Sequence, residues 1–482
     1  MSRIPFPTRG PLLAVLLACA AMTVVFAASD PKAALPAEAR KTAEALRDGA
    51  VRGTRAAEWV RGLTDTAGHR LAGSPGDRLG VAWATETLRA QGFANVRAEK
   101  VMVKVWKRGV ETGEVTAPHR HRLVLTALGG SVATPEGGLE GEVLEVPSLE
   151  ALDAKGEAAR GKIVFFNKRM ERRSDGADYV RAVDVRSGGA ARAAKHGAVG
   201  VLIRSIGTDD TRHPHTGGTR YETTVPKIPA AALAGPDADL LERLGRLGGP
   251  VRVRFTLGCG DAPAAESANV IGEIRGREAA REVVLLGAHL DSWDVGTGAV
   301  DDAAGCGIVI EAARLIGQLP RPPRRTIRVV LFANEEHGLD GGNAYARDHA
   351  AELPLHTAAL EADSGTGAPL GMSWTAGAAA EPVVKEIAGL LEPIGVRTLS
   401  PGSFGGADIY QLRKAGVPLF SFQQDMLRYF DLHHTDNDTF DKIDPHALDR
   451  MVAAVAVFAY GAAAAPQPFE KIPQDERQIT PF

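Results

Sequence analysis

Apolar residues in this chain gather into short runs, separated by longer stretches of helical spacing, and the later runs end one after another in charged residues. Residues 282–286, 326–334, 357–362 and 418–422 have the length and apolar content of strands buried on both faces. Between and after them, 303–319, 381–391, 408–415 and 445–463 carry helical periodicity. Such alternation predicts an α/β fold, a mixed and largely parallel sheet covered by helices on both faces.

Ahead of these runs the pattern is more amphipathic. Residues 31–49 and 52–63 read as helices, and 77–91 as a third, with Leu79, Ala82, Thr85 and Leu88 on one stripe and Gly92 to stop it. Residues 95–105 alternate like an exposed edge strand. A block of different character spans 137–258, in which 161–167 and 188–203 read as strand, helix, strand. The main domain is then 28–136 with 259–466, and the Pro/Gln/Asp-rich tail 467–482 reads as loosely held.

Composition adds limits. A length of 482 residues allows two to three domains with ample core, and 44% hydrophobic with 24% charged residues is ordinary for soluble protein. A net charge of −3 gives no basic footprint, so nucleic acid is not an expected partner. Arg3 and Arg9 precede an apolar run over 11–26, and Val25-Phe26-Ala27 has cleavage-site spacing, so 1–27 reads as an export signal. The mature chain is expected to be secreted or periplasmic, with no transmembrane span. Leu16-Leu17-Ala18-Cys19 resembles a lipoprotein box, which keeps anchoring at Cys19 as the alternative. Removing the signal leaves Cys259 and Cys306, too few for a disulfide framework.

The candidate chemistry lies at the carboxyl ends of the apolar runs, where open α/β sheets bind ligands. His289, Asp291, Asp301 and Asp302 follow the first run, Glu335 and Glu336 the second, Asp363 the third, and His433 and His434 the fourth. Imidazole and carboxylate donors without thiolate suit catalytic zinc. Adjacent Glu335 and Glu336 point different ways, so one can bind metal while the other acts as general base. Any one of these residues alone is an ordinary hydrogen-bonding group; their joint placement makes a metal site the better reading. His69, His119, His121, His196, His349, His356 and His446 lack ligand spacing, and His337 lines the turn after the Glu pair.

The segments His289-Leu290-Asp291-Ser292-Trp293-Asp294-Val295-Gly296, Asp301-Asp302, Glu335-Glu336, Glu361-Ala362-Asp363 and His433-His434 resemble the di-zinc exopeptidase family that includes the secreted bacterial leucyl aminopeptidases. The first of them narrows the resemblance to the carboxypeptidase Q branch. The resemblance implies two Zn2+ per chain, with Asp301 bridging, His289 and Asp363 completing one site, Glu336 and His434 the other, and Glu335 as general base. It favours His434 over His433 because the family histidine precedes an Asp-Thr pair by four residues, here Asp438-Thr439. It further implies that Asp291 orients His289 through its other ring nitrogen, that the Asp301-Asp302 peptide is cis, that 137–258 is a protease-associated insert, and that the enzyme is a homodimer acting on short peptides or dipeptides. His215, in Pro214-His215-Thr216-Gly217, occurs in a similar segment of that branch and is a candidate for touching the site. Residues 402–408 read equally as a pocket loop and as a connector. Aminopeptidase activity in the same family, a catalytically inactive binding module and a single-zinc cyclase-like enzyme are the alternatives.

Overall fold

The computed structural model describes residues 35–478. The expected export signal and Cys19 lie outside the described residues.

Two eight-stranded sheets organise the chain. The first runs in the order Ala94–Lys107, Gly260–Ile274, Arg325–Phe332, Ala279–His289, His356–Glu361, Leu419–Gln424, Pro369–Thr375 and Thr398–Pro401. Its four central strands, from Arg325–Phe332 to Leu419–Gln424, pair in parallel, and antiparallel pairs flank them. The centre is buried and its strands are mostly apolar; Val284, Leu286, Val329 and Leu331 are all fully enclosed. Helices Ala37–Val51, Ala56–Ala67, Ala304–Gly317 and Pro445–Ala464 share one core with one face of this sheet. Tyr345, from helix Asp340–Asp348, joins Leu285, Phe332 and Ile409 in the cluster on the other face. The mixed sheet with helices on both faces is the architecture expected from the sequence. Pro445–Ala464 is long and apolar enough to cross a membrane, yet here it is a core helix, largely buried.

The edge strand is longer than expected, Ala94–Lys107, and buries Val101, Val103 and Val105 in alternation. Helix Pro75–Ala90 differs in its face. Leu79 is 48% exposed, and the buried positions are Gly76, Asp77, Gly80, Ala84 and Leu88. The small residues turn inward because Gly80 lies against Arg70 and Leu63, where a larger residue has no room. At 408–415 the expected α-helix is a 3-10 turn, Tyr410–Ala415, since the amides of Asp408 and Ile409 are held by the Glu361 carboxylate instead. The tail is anchored: Phe469 packs on Phe420, Ile472 is fully buried, and Ile472 N donates to Gly416 O. Cys259 and Cys306 are both buried free thiols.

The second sheet orders His121–Leu123, Glu111–Ala117, Arg252–Leu257, Leu139–Val146, Ile163–Phe166, Gly200–Arg204, Ala230–Leu233 and Leu125–Ala127. Three of its strands lie ahead of residue 137. Glu111–Ala117 pairs with Arg252–Leu257 and with His121–Leu123, and Leu125–Ala127 with Ala230–Leu233, so pairing across the chain rather than a long apolar run places them.

One buried histidine makes a stability test. His356 is fully enclosed; its Nε2 is 2.8 Å from the Tyr345 hydroxyl, which accepts from Arg328 at 3.0 Å, and its Nδ1 is 3.1 Å from Glu352 O. Burial, with Arg328 and Lys471 adding positive charge nearby, lowers its pKa to about 3. The unfolded chain therefore binds this proton more readily, so the stabilisation is complete above the unfolded value of about 6.5 and is lost as pH falls toward 3, at up to ~1.4 kcal/mol per pH unit. Urea unfolding between pH 7 and 4 should show this slope, and His356→Gln should flatten it; an unchanged slope in the variant would refute the assignment.

Candidate metal centre

Every predicted site residue arrives at one crevice, at the carboxyl ends of the parallel strands. His289 is the last residue of its strand and is 1% exposed. Its Nε2 lies 3.1 Å from Asp301 Oδ1 and 3.7 Å from Asp363 Oδ1. On the opposite side of Asp301, His434 Nε2 lies 3.3 Å from Oδ2 and 3.0 Å from Glu336 Oε2. One carboxylate thus faces two imidazoles, each with a further carboxylate beside it. Donor atoms of His289, Asp301 and Glu336, and of Asp301, His433 and His434, lie within 4.8 Å of one another.

Local structure explains how these groups are held. The turn Ala299–Ala303 departs from helical geometry at Asp301 and Asp302, whose connecting peptide is cis. The Asp438 carboxylate accepts from Val300 N at 2.6 Å and Asp301 N at 3.1 Å. Asp302 is fully buried inside the turn, accepting from His289 N at 3.2 Å and Gly305 N at 2.9 Å. Arg70, also fully buried, donates to Leu290 O and Gly298 O. The buried Cys306 thiol contacts His289 O at 3.1 Å.

Asp291 works differently from expectation. His289 Nδ1 faces the Asp291 main-chain oxygen at 3.1 Å, whereas the nearest carboxylate oxygen is 3.7 Å away. That carboxylate is engaged elsewhere, accepting from Glu335 N at 3.0 Å and Glu336 N at 3.3 Å. It therefore fixes the Glu pair, while its carbonyl faces the histidine.

His433 and His434 stack with ring centroids 3.5 Å apart. His434 sits at φ +63°, a left-handed conformation unusual for a side-chain-bearing residue. Of these two, His434 faces two carboxylates at close range, whereas His433 Nε2 is 3.7 Å from Asp301 and its buried Nδ1 has no hydrogen-bond partner. The electrostatics follow. Burial opposes a charge on His434, but Glu336 and Asp301 outweigh it and raise its pKa to about 9. For His433 burial prevails, helped by the neighbouring His434, and its pKa falls well below the usual range. Burial also raises Glu335 well above the ordinary carboxylate range, reinforced by Asp363 and Glu336. A set of buried carboxylates that draws protons onto two imidazoles offers the charge and donor types that a divalent cation replaces.

Residues 402–408 do line a cavity. Phe404, Gly405 and Gly406 form one wall of a space of about 200 Å³, with Asp363, Phe422, Gln424 and Met451 opposite. Gly406, at φ +152°, backs onto Glu361, where a Cβ would come within 2.3 Å of Oε2. His215 reaches the site from the second sheet, its Nδ1 2.7 Å from His433 O. Arg70 and the clamping role of Asp438 had no sequence signal beyond the Asp-Thr pair that served to choose between the histidines.

Known proteins match this arrangement. The profile of peptidase family M28 matches residues 269–459. Carboxypeptidase Q of Mus musculus is 38% identical over 402 residues, covering 83% of this chain and 84% of that protein. The crystal structure of a peptidase M28 precursor from Shewanella amazonensis SB2B has a TM-score of 0.89 at 44% identity, over 90% of this chain and 99% of that one. A zinc aminopeptidase from Bacillus subtilis shares the fold, with a TM-score of 0.60 at 20% identity over 86% of this chain and 97% of that one. On the first three likenesses, and on its crevice of histidines and carboxylates, the chain belongs to peptidase family M28 as a homologue of carboxypeptidase Q.

Proposed function

We propose that the chain is an exported, zinc-dependent exopeptidase of the carboxypeptidase Q type, hydrolysing short peptides, dipeptides among them. The observation that carries this is Asp301, whose two oxygens face His289 and His434 on opposite sides. His289, Asp363 and Asp301 would hold one ion, and Glu336, His434 and Asp301 the other. When bound, the two zinc ions supply Lewis-acid polarisation of the scissile carbonyl and of the attacking water.

The chain's own groups do the rest. Glu335 takes a proton from the attacking water and passes it to the nitrogen of the leaving amine. Asp291 keeps Glu335 and Glu336 in register through their amides, so that one carboxylate serves the metal and its neighbour the proton. The cavity walled by Phe404 and Phe422 next to Asp363 receives one substrate side chain. The second lobe is read as a protease-associated insert, and the working form as a homodimer, as is commonest for symmetric assemblies.

Metal analysis and light scattering on the mature protein test these points together. Two zinc ions per chain in a dimer are expected. One ion per chain would favour the cyclase-like alternative, none a binding module, and an active monomer would remove the dimer.

A further inference from the structure

We propose that His215 is a positioning residue for His434, so that the second lobe sets the orientation of a metal-site imidazole that the first lobe carries. This rests on the reading of His434 as a ligand. His215 is fully buried, and each of its ring nitrogens faces an oxygen: Nε2 is 2.7 Å from Asp209 Oδ1, and Nδ1 is 2.7 Å from the main-chain oxygen of His433, the residue immediately before His434. Its own amide donates to Ser205 Oγ at 2.8 Å, so the ring is fixed from three directions. Gly207 leaves space for it, since a Cβ there would lie 2.2 Å from Nε2.

The next residue continues the contact. Thr216 N donates to His434 O at 2.9 Å, and Thr216 O lies 3.3 Å from His434 Nδ1, the ring nitrogen turned away from Asp301 and Glu336. Arg186 Nη1 approaches the same nitrogen at 3.4 Å; of the two groups only the carbonyl accepts a proton from Nδ1, the tautomer that leaves Nε2 free to face the carboxylates. The loop around His434 is docked on the same lobe along its length: Met426 N donates to Ser174 O and Thr208 N to Phe430 O, both at 2.9 Å, and Arg172 pairs with Asp431. Such docking holds His434 at its left-handed φ. Within it, His215, backed by Asp209, is hydrogen-bonded to the main chain of the residue next to the ligand, while Tyr179 packs edge-on against that residue's ring.

Chelator competition on the full mature protein, reading each zinc ion separately, tests the assignment. His215→Leu, and the milder Asp209→Asn, are expected to weaken one ion by about 10–100-fold, the range seen when a partner orienting a ligand is removed, and to leave the other unchanged. Turnover should return as free zinc is raised. His434→Ala is the companion variant and should lose that same ion outright. Retention of both ions at native affinity by His434→Ala overturns the ligand reading and the proposal with it. Loss of an ion in His434→Ala, with native affinities in the other two variants, overturns the proposal alone. So does equal weakening of both ions together with a lowered melting temperature. If His215→Leu does not fold, Asp209→Asn decides between these outcomes.

Discussion

Glu335→Gln should keep its zinc and lose turnover by about 10²–10⁴-fold, the usual worth of a general base. The substitution is close to isosteric. The main chain at this position is held by the Asp291 carboxylate, through bonds of 3.0 Å to Glu335 N and 3.3 Å to Glu336 N that the glutamine side chain does not touch. What disappears is the capacity to accept and return a proton, which burial and the carboxylates of Asp363 and Glu336 sharpen at this position. Glu336→Gln should behave in the opposite way, weakening metal at the His434 side, since Glu336 Oε2 is 3.0 Å from His434 Nε2. Near-native turnover in metal-replete Glu335→Gln would remove Glu335 from its role.

N-acetylation of a dipeptide substrate should cut kcat/KM by about 10⁴-fold, the penalty when a site built for a polar group meets a substrate without it. The crevice gathers Asp301, Glu335, Glu336 and Asp363, carboxylates that offer acceptors to a free α-amino group and none to an acetyl group. Glu361, buried beside Asp363 with its pKa pushed up to about 8 by burial first and then by Asp363, lines the adjoining cavity. Amidation of the C-terminal carboxylate should cost much less. Rapid hydrolysis of the acetylated dipeptide, with none of the amidated one, would place recognition at the carboxylate instead.

Much of this was legible because each piece of chemistry sits where an apolar run stops. The runs into His289, Glu335, Asp363 and His434 are strands buried on both faces, and a buried parallel strand delivers its next residues to the same edge as its neighbours. Less legible were the groups that join distant parts of the chain. Arg70 acts on carbonyls 220 and 228 positions away, and His215 on one 218 away, separations across which local spacing carries no information. The helix face of Pro75–Ala90 was misread for a related reason. Its stripe was chosen by apolarity, whereas close approach to Arg70 selects for small residues. Asp291 shows a finer limit: sequence placed the residue beside His289, but which of its oxygens faces the ring depends on the amides of a turn 44 residues on.

The two enclosed thiols carry a practical consequence for handling the protein. Cys259 is 3% exposed and Cys306 fully buried, they are unpaired, and burial raises the pKa of both, that of Cys306 beyond easy ionisation. With no disulfide among the described residues, folding of this part of the chain does not depend on the redox poise of its compartment, and thiolate attack on foreign disulfides is suppressed. Recombinant protein should therefore mature equally in a reducing cytosol and an oxidising periplasm, and a non-chelating phosphine reductant should leave its activity unchanged.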